Sequence, residues 1–212
     1  GIAYTSLKKY TEALTVLRES LATGRELQDD YILKNVLVNM GNVYIKRGEY
    51  DSLPGCSTEG LAVARRVGDS LSMTSNLYAL GLYHFYQKDF ARSMELAEEG
   101  YRIASRNRYL ELWQLHADLL SELWLAKGDF KKYDQYNRMS VDLSEQFFNK
   151  DMQQHAQLLD KKYETASKEQ QLKLQQATIR QQQTWNLILG GSAVALLLIG
   201  LLLYRNYNQK RK

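Results

Sequence analysis

The stretch GNVYIKRGEY, residues 41–50, decides how the rest of the chain is read. It opens on a glycine, places an aromatic three residues later at Tyr44, and ends on a Gly-Glu-Tyr turn at 48–50. Around it Ile32, Val36, Leu37, Met40, Val43 and Tyr44 recur at helical spacing rather than alternating. A helix is therefore predicted to run through Gly41, small enough to admit a partner helix, and to stop at Gly48, where a left-handed cap costs little. Tyr50 is expected to pack in the turn, and Asp51 or Ser52 to cap a second helix. Pro54 falls in that helix's first turn, where its missing N–H matters least, and Gly68-Asp69 closes the unit.

The same arrangement recurs at a spacing of 40 without gaps. Gly1, Gly41, Gly81 and Ser121 align; three residues on stand Tyr4, Tyr44, His84 and Trp124; nine on stand Tyr10, Tyr50, Phe90 and Phe130. The turns read KKY, GEY, KDF and GDF at 8–10, 48–50, 88–90 and 128–130, and Gly24, Ala64, Ala104 and Ser144 form a second column of small residues. Four ungapped copies, each reading as two helices, predict an all-α array over residues 1–147, with units starting near 1, 29, 69 and 109. The first copy begins in mid-helix, which predicts that part of a repeat precedes Gly1.

Composition agrees with that class. One proline among 212 residues leaves long helices uninterrupted, and a single cysteine, Cys56, excludes an internal disulfide framework and any cysteine-cluster zinc site. The net charge of +4 equals the contribution of Arg205, Lys210, Arg211 and Lys212, so residues 1–204 are close to neutral. A neutral body carries no electrostatic case for nucleic-acid binding.

The pattern resembles the tetratricopeptide repeat, most closely in GNVYIKRGEY at 41–50 and next in LWLAKGDF at 123–130. The small residue the family places early in the second helix is Ala13 in the first unit, but Leu53, Ser93 and Tyr133 in the others. The resemblance implies a solenoid of antiparallel helix pairs whose first helices line a concave face. By the family's spacing, that face would carry Asn42, Lys46, Tyr78, Phe85, Tyr86, Asp118 and Glu122. A protein or peptide is the implied ligand, though a groove filled by neighbouring repeats and binding nothing is the alternative. The cations that clamp a free peptide carboxylate are mostly missing.

From about Phe147 the repeat gives way to a polar stretch, assigned to 148–183 as a helical linker. Met152, Ala156, Leu159, Tyr163 and Ala166 step by 4, 3, 4 and 3, a coiled-coil seam that predicts a homodimer, with a solvated single helix as the alternative. Leu187 to Tyr204 holds no charged residue, and at 1.5 Å per residue the run from Trp185 matches a hydrocarbon core of about 30 Å. A transmembrane helix is therefore expected at 185–204, anchored in the lipid bilayer by Trp185, Tyr204 and Arg205 and followed by a basic tail at 205–212. The cations after Tyr204 place the C-terminus in the cytoplasm and the repeats outside it, which in a bacterial inner membrane means the periplasm.

Repeats, neck, span and basic tail in that order, with KKYETASKEQQ at 161–171, resemble the input half of bacterial membrane-bound sensor proteins. That resemblance implies an extracytoplasmic sensor relaying to a histidine kinase or helix-turn-helix output lying beyond Lys212. A tail-anchored scaffold recruiting proteins at a membrane is the alternative. No catalytic role is expected for this chain: His84 sits in an aromatic packing slot and reads as core filler, His116 lies on the first helix of the last unit without a nearby carboxylate-cysteine grouping, and His155, in QQHAQ, does not match the H-E-x-x-P-type context of a phospho-accepting histidine. Motifs for nucleotide, nucleophile or zinc chemistry are absent, and no cofactor or metal is expected.

Overall fold

The computed structural model describes the backbone at residue 5 and over 7–210, and the side chains of the same residues apart from 193–198 and 201–210. The chain divides into two units, Gly1–Asp151 and Met152–Lys212. The described helices, in chain order, are α1 (Tyr10–Glu26), α2 (Asp30–Arg47), α3 (Leu53–Val67), α4 (Ser70–Tyr86), α5 (Phe90–Asn107), α6 (Leu110–Ala126) and α7 (Phe130–Lys210).

In the first unit each turn obeys one rule. Lys8, Gln28, Gly48, Gly68, Lys88, Arg108 and Gly128 all adopt left-handed φ, from 52° to 76°, and they fall every 20 residues. The next residue's N–H returns to the carbonyl five positions back, as in Glu49 to Tyr44, Asp69 to Ala64 and Asp129 to Trp124, at 2.9–3.0 Å. These bonds satisfy carbonyls a helix end leaves open. Gly48 and Gly68 close α2 and α3 as their sequence suggests. The spacing of 40 read from side chains is thus two backbone half-periods of equal length.

Several helix starts are capped by aspartates. Asp29 accepts from Tyr31 N and Ile32 N, and Asp69 from Leu71 N and Ser72 N, so α2 and α4 begin where their first orphan N–H groups find a carboxylate. The expected cap on α3 is not made: Ser52 forms no capping bond, and Asp51 accepts from Gln87 at 2.6 Å instead. A 3-10 turn over Tyr50–Ser52 leads into α3, with Pro54 in its first turn.

Leu37, Leu53, Leu77, Leu120 and Leu123 are fully buried between the helices, each contributing about 2–3 kcal/mol by leaving water. Neighbouring helices pack in order from α1 to α6, and α2 also touches α4 directly, as α4 touches α6. The second helices α1, α3 and α5 are tied by exposed ion pairs, Arg25 to Glu59 and Arg65 to Glu99, once more 40 residues apart. First helices in direct contact form the inner layer, and the ion-paired second helices form the outer one.

The second unit is helical through Lys210. Met152, Leu159 and Tyr163 of the expected seam are all more than half exposed. The transmembrane helix expected at 185–204 is contradicted: among the described residues no helix is long and apolar enough to cross a membrane. The described side chains there, Trp185 to Ser192, are interrupted by Asn186, Gly190, Gly191 and Ser192, and they follow the polar run 181–184. Trp185 is exposed, whereas Tyr204 and Arg205 lie outside the residues whose side chains are described. The single-pass localisation, with periplasmic repeats and a cytoplasmic C-terminus, falls with the span.

Candidate interaction groove

Because α2, α4 and α6 share the period of 40, equivalent positions line up across the inner layer as Tyr31, Leu71 and Glu111, as Asn35, Ser75 and Leu115, and as Val38, Tyr78 and Asp118. Between these helices lies a groove of about 480 Å³. From α2 it receives Asn39, Asn42, Ile45 and Lys46; from α4, Leu71, Ser75 and Tyr78; from α6, Glu111, Leu112 and Leu115. Each helix brings a different chemistry: amides, then apolar and aromatic groups, then an anion.

Of the residues expected on the concave face, Asn42, Lys46 and Tyr78 come together in this groove. Asp118 is exposed on α6, with Ser140 donating to its Oδ1 at 3.5 Å. Its charge reaches Tyr78, whose pKa is raised first by burial and then by Asp118, Tyr50 and Tyr86. Glu122 is exposed one turn further along α6. Phe85 is partly buried and packs against the hydrophobic core, its ring centroid 5.7 Å from that of Phe90. Tyr86 is exposed but stacked on Tyr50, with ring centroids 3.8 Å apart and planes 10° from parallel. Sequence reasoning missed Asn39, Ser75, Glu111 and Leu115, although stepping 40 residues from Asn35 would have reached both Ser75 and Leu115.

The two histidines of the repeats sit in different surroundings. His84 is half-buried rather than core filler, with Nδ1 3.1 Å from Asp89 Oδ2. His116 is fully buried. Its Nε2 lies 3.2 Å from the Thr74 carbonyl, which can only accept, so Nε2 carries the proton. Nδ1 has no partner, and burial lowers the His116 pKa to about 4. The ring lies over Gly100: a Cβ there would stand 2.0 Å from His116 Cε1. Forty residues earlier Asn76 occupies Gly60 in the same way, with Oδ1 2.5 Å from the corresponding Cβ position. Gly60 with Gly100, and Asn76 with His116, stood in register in the sequence; the pairing across repeats did not.

A larger cleft of about 670 Å³ lies between α3 and α5 on the outer layer. Four of its charged side chains are engaged internally, Arg65 with Glu99 and Arg92 with Glu95. In the inner groove, by contrast, Asn39, Asn42, Lys46 and Glu111 bond to no other side chain among the described residues. Among the described residues no group of three or more His, Cys, Asp or Glu is placed to hold a metal ion. What the groove offers is hydrogen bonding and contact area.

Stacked helix pairs with an open inner groove define a helical-repeat interaction module. A family model described as tetratricopeptide repeat matches residues 1–27, and with the all-helical arrangement it supports a region of that type in this chain. Repeats of this kind are typically non-catalytic modules that bind proteins. No curated protein matches the chain.

Proposed function

We propose that this chain is a protein-binding region that holds a peptide segment of its partner along the groove between α2, α4 and α6. The observation that carries this reading is the set of unengaged polar side chains, Asn39, Asn42, Lys46 and Glu111, around an apolar floor of Leu71, Leu112 and Leu115. An extended segment has backbone groups to satisfy, and side-chain amides supply both donor and acceptor. The exposed seam Met152, Leu159 and Tyr163 is the surface through which the chain would form a homodimer, as its 4-3 spacing suggests. On this reading the chain works as the recruiting or input part of a signalling or scaffolding assembly, with chemistry performed by its partners.

Selection of displayed peptides against the full chain tests the groove. A peptide so obtained is expected to lose at least about tenfold in affinity when Asn42 and Lys46 are both changed to alanine. It should be unaffected by Arg18→Ala on α1. Equal loss from both changes, or from neither, would place binding elsewhere.

A further inference from the structure

The groove itself is lined by one cation, Lys46, and one anion, Glu111, and the α6 face that carries Glu111 continues past the groove with further acids. On α6, Glu111, Leu115, Asp118 and Glu122 step by 4, 3 and 4, which sets them on one face of the helix. Glu111, Asp118 and Glu122 are exposed. Among the described residues none of the three forms an ion pair, and the one bond to their carboxylates is the 3.5 Å contact from Ser140 to Asp118. The facing helix α2 presents amides and a single cation, Lys46. Between the walls runs the α4 stripe of Leu71, Ser75 and Tyr78, in contact with the groove floor. Some exposed charges elsewhere in the first unit are matched in pairs, as Arg25 with Glu59 and Arg65 with Glu99 are. The α6 wall is left unmatched.

Building on the proposed groove, we infer that it is specific for a basic segment of a partner protein: an extended stretch in which apolar or aromatic side chains alternate with lysine or arginine. The geometry of an extended peptide sends successive side chains to opposite sides. Apolar residues would then settle on Leu71, Tyr78 and Leu115, with Asn42 holding the backbone. The intervening cations would reach Glu111, Asp118 and Glu122. An acidic segment would meet those carboxylates with like charge, and like-charge juxtaposition rejects a wrong partner more strongly than a matched pair attracts the right one. This assigns to α6 the selection of the partner and to α2 the holding of its backbone.

The test uses the full chain and fluorescein-labelled peptides of one pattern, leucine alternating with arginine, with glutamine or with glutamate, followed by anisotropy at low and moderate salt. The arginine peptide is expected to bind at least about tenfold more tightly than the glutamine peptide, and the glutamate peptide least. Changing Glu111 and Glu122 to Gln together with Asp118 to Asn should remove most of the advantage of the arginine peptide and its salt dependence, while leaving the glutamine peptide's affinity unchanged. Asn42→Ala should weaken arginine and glutamine peptides alike. Binding of the glutamate peptide as tightly as the arginine peptide, or an arginine advantage that survives loss of the three carboxylates, overturns the charge selection but leaves the groove. Failure of every peptide to bind overturns the groove itself.

Discussion

At the scale of single residues, the tightest points of the fold are glycines facing polar plugs. Gly100→Ala would drive a methyl into the buried His116 ring, 2.0 Å from Cε1, and is expected to cost about 2–4 kcal/mol in urea unfolding. Gly41→Ala meets nothing closer than Ser57 Oγ at 3.4 Å and should be nearly neutral. The sequence singles out Gly41 as the close-approach glycine, and equal costs at the two sites would contradict the structure's ranking. His116 also sets a pH dependence. The folded state resists the proton until about 4 while the unfolded chain takes it up near 6.5, so within that window the unfolded state binds more protons. Stability is therefore lost as pH falls from about 6.5 to about 4, by about 3 kcal/mol in all. Asp69 does not confuse this window. Burial works to raise its pKa, but Lys34 and Ser72 outweigh burial and hold it below the ordinary 3.8, so its contribution is lost only at lower pH. His116→Asn, which copies Asn76, should flatten the slope between those limits; a slope left intact would assign it to other groups.

At the scale of elements, the turns every 20 residues explain what was legible. Glycine marks the left-handed position at 48, 68 and 128, and those turns could be read directly. At 8, 28, 88 and 108 the same conformation is held by Lys, Gln, Lys and Arg, so the half-period stayed hidden behind side chains that announce nothing. Arg108→Gly is expected to raise stability by about 0.5–1 kcal/mol, since its φ of 56° is strained for a residue with a Cβ and free for glycine. A thermal midpoint that falls would show that the arginine side chain contributes more than the turn strain costs. The α3 start was misread for a related reason: Asp51 and Ser52 suit a cap by type, but the 3-10 turn at Tyr50–Ser52 directs Asp51 to Gln87 of α4. Composition can nominate a cap, but the path of the chain decides whether the side chain reaches it.

At the scale of the molecule, periodicity exposed the repeat because stacking copies must bury like residues at like intervals. The same reasoning found Asn42, Lys46 and Tyr78 in the groove, yet it placed Phe85 there too, because a face counted along one helix does not show that Phe90 covers it from the next. Hydropathy along 185–204 predicted a span that the described helices do not support. For the seam, Leu159→Glu is expected to convert a two-chain mass into a one-chain mass in sedimentation equilibrium, because a charge at a coiled-coil seam is buried without a partner. An unchanged mass would remove the seam as the dimer contact.

Hydrogen exchange of the full chain, with and without a peptide selected on it, tests the groove most directly. Slowed exchange confined to α2, α4 and α6, around residues 39–46, 71–78 and 111–122, is the result predicted. Slowed exchange confined to α1, α3 and α5, with the inner helices unchanged, would contradict it.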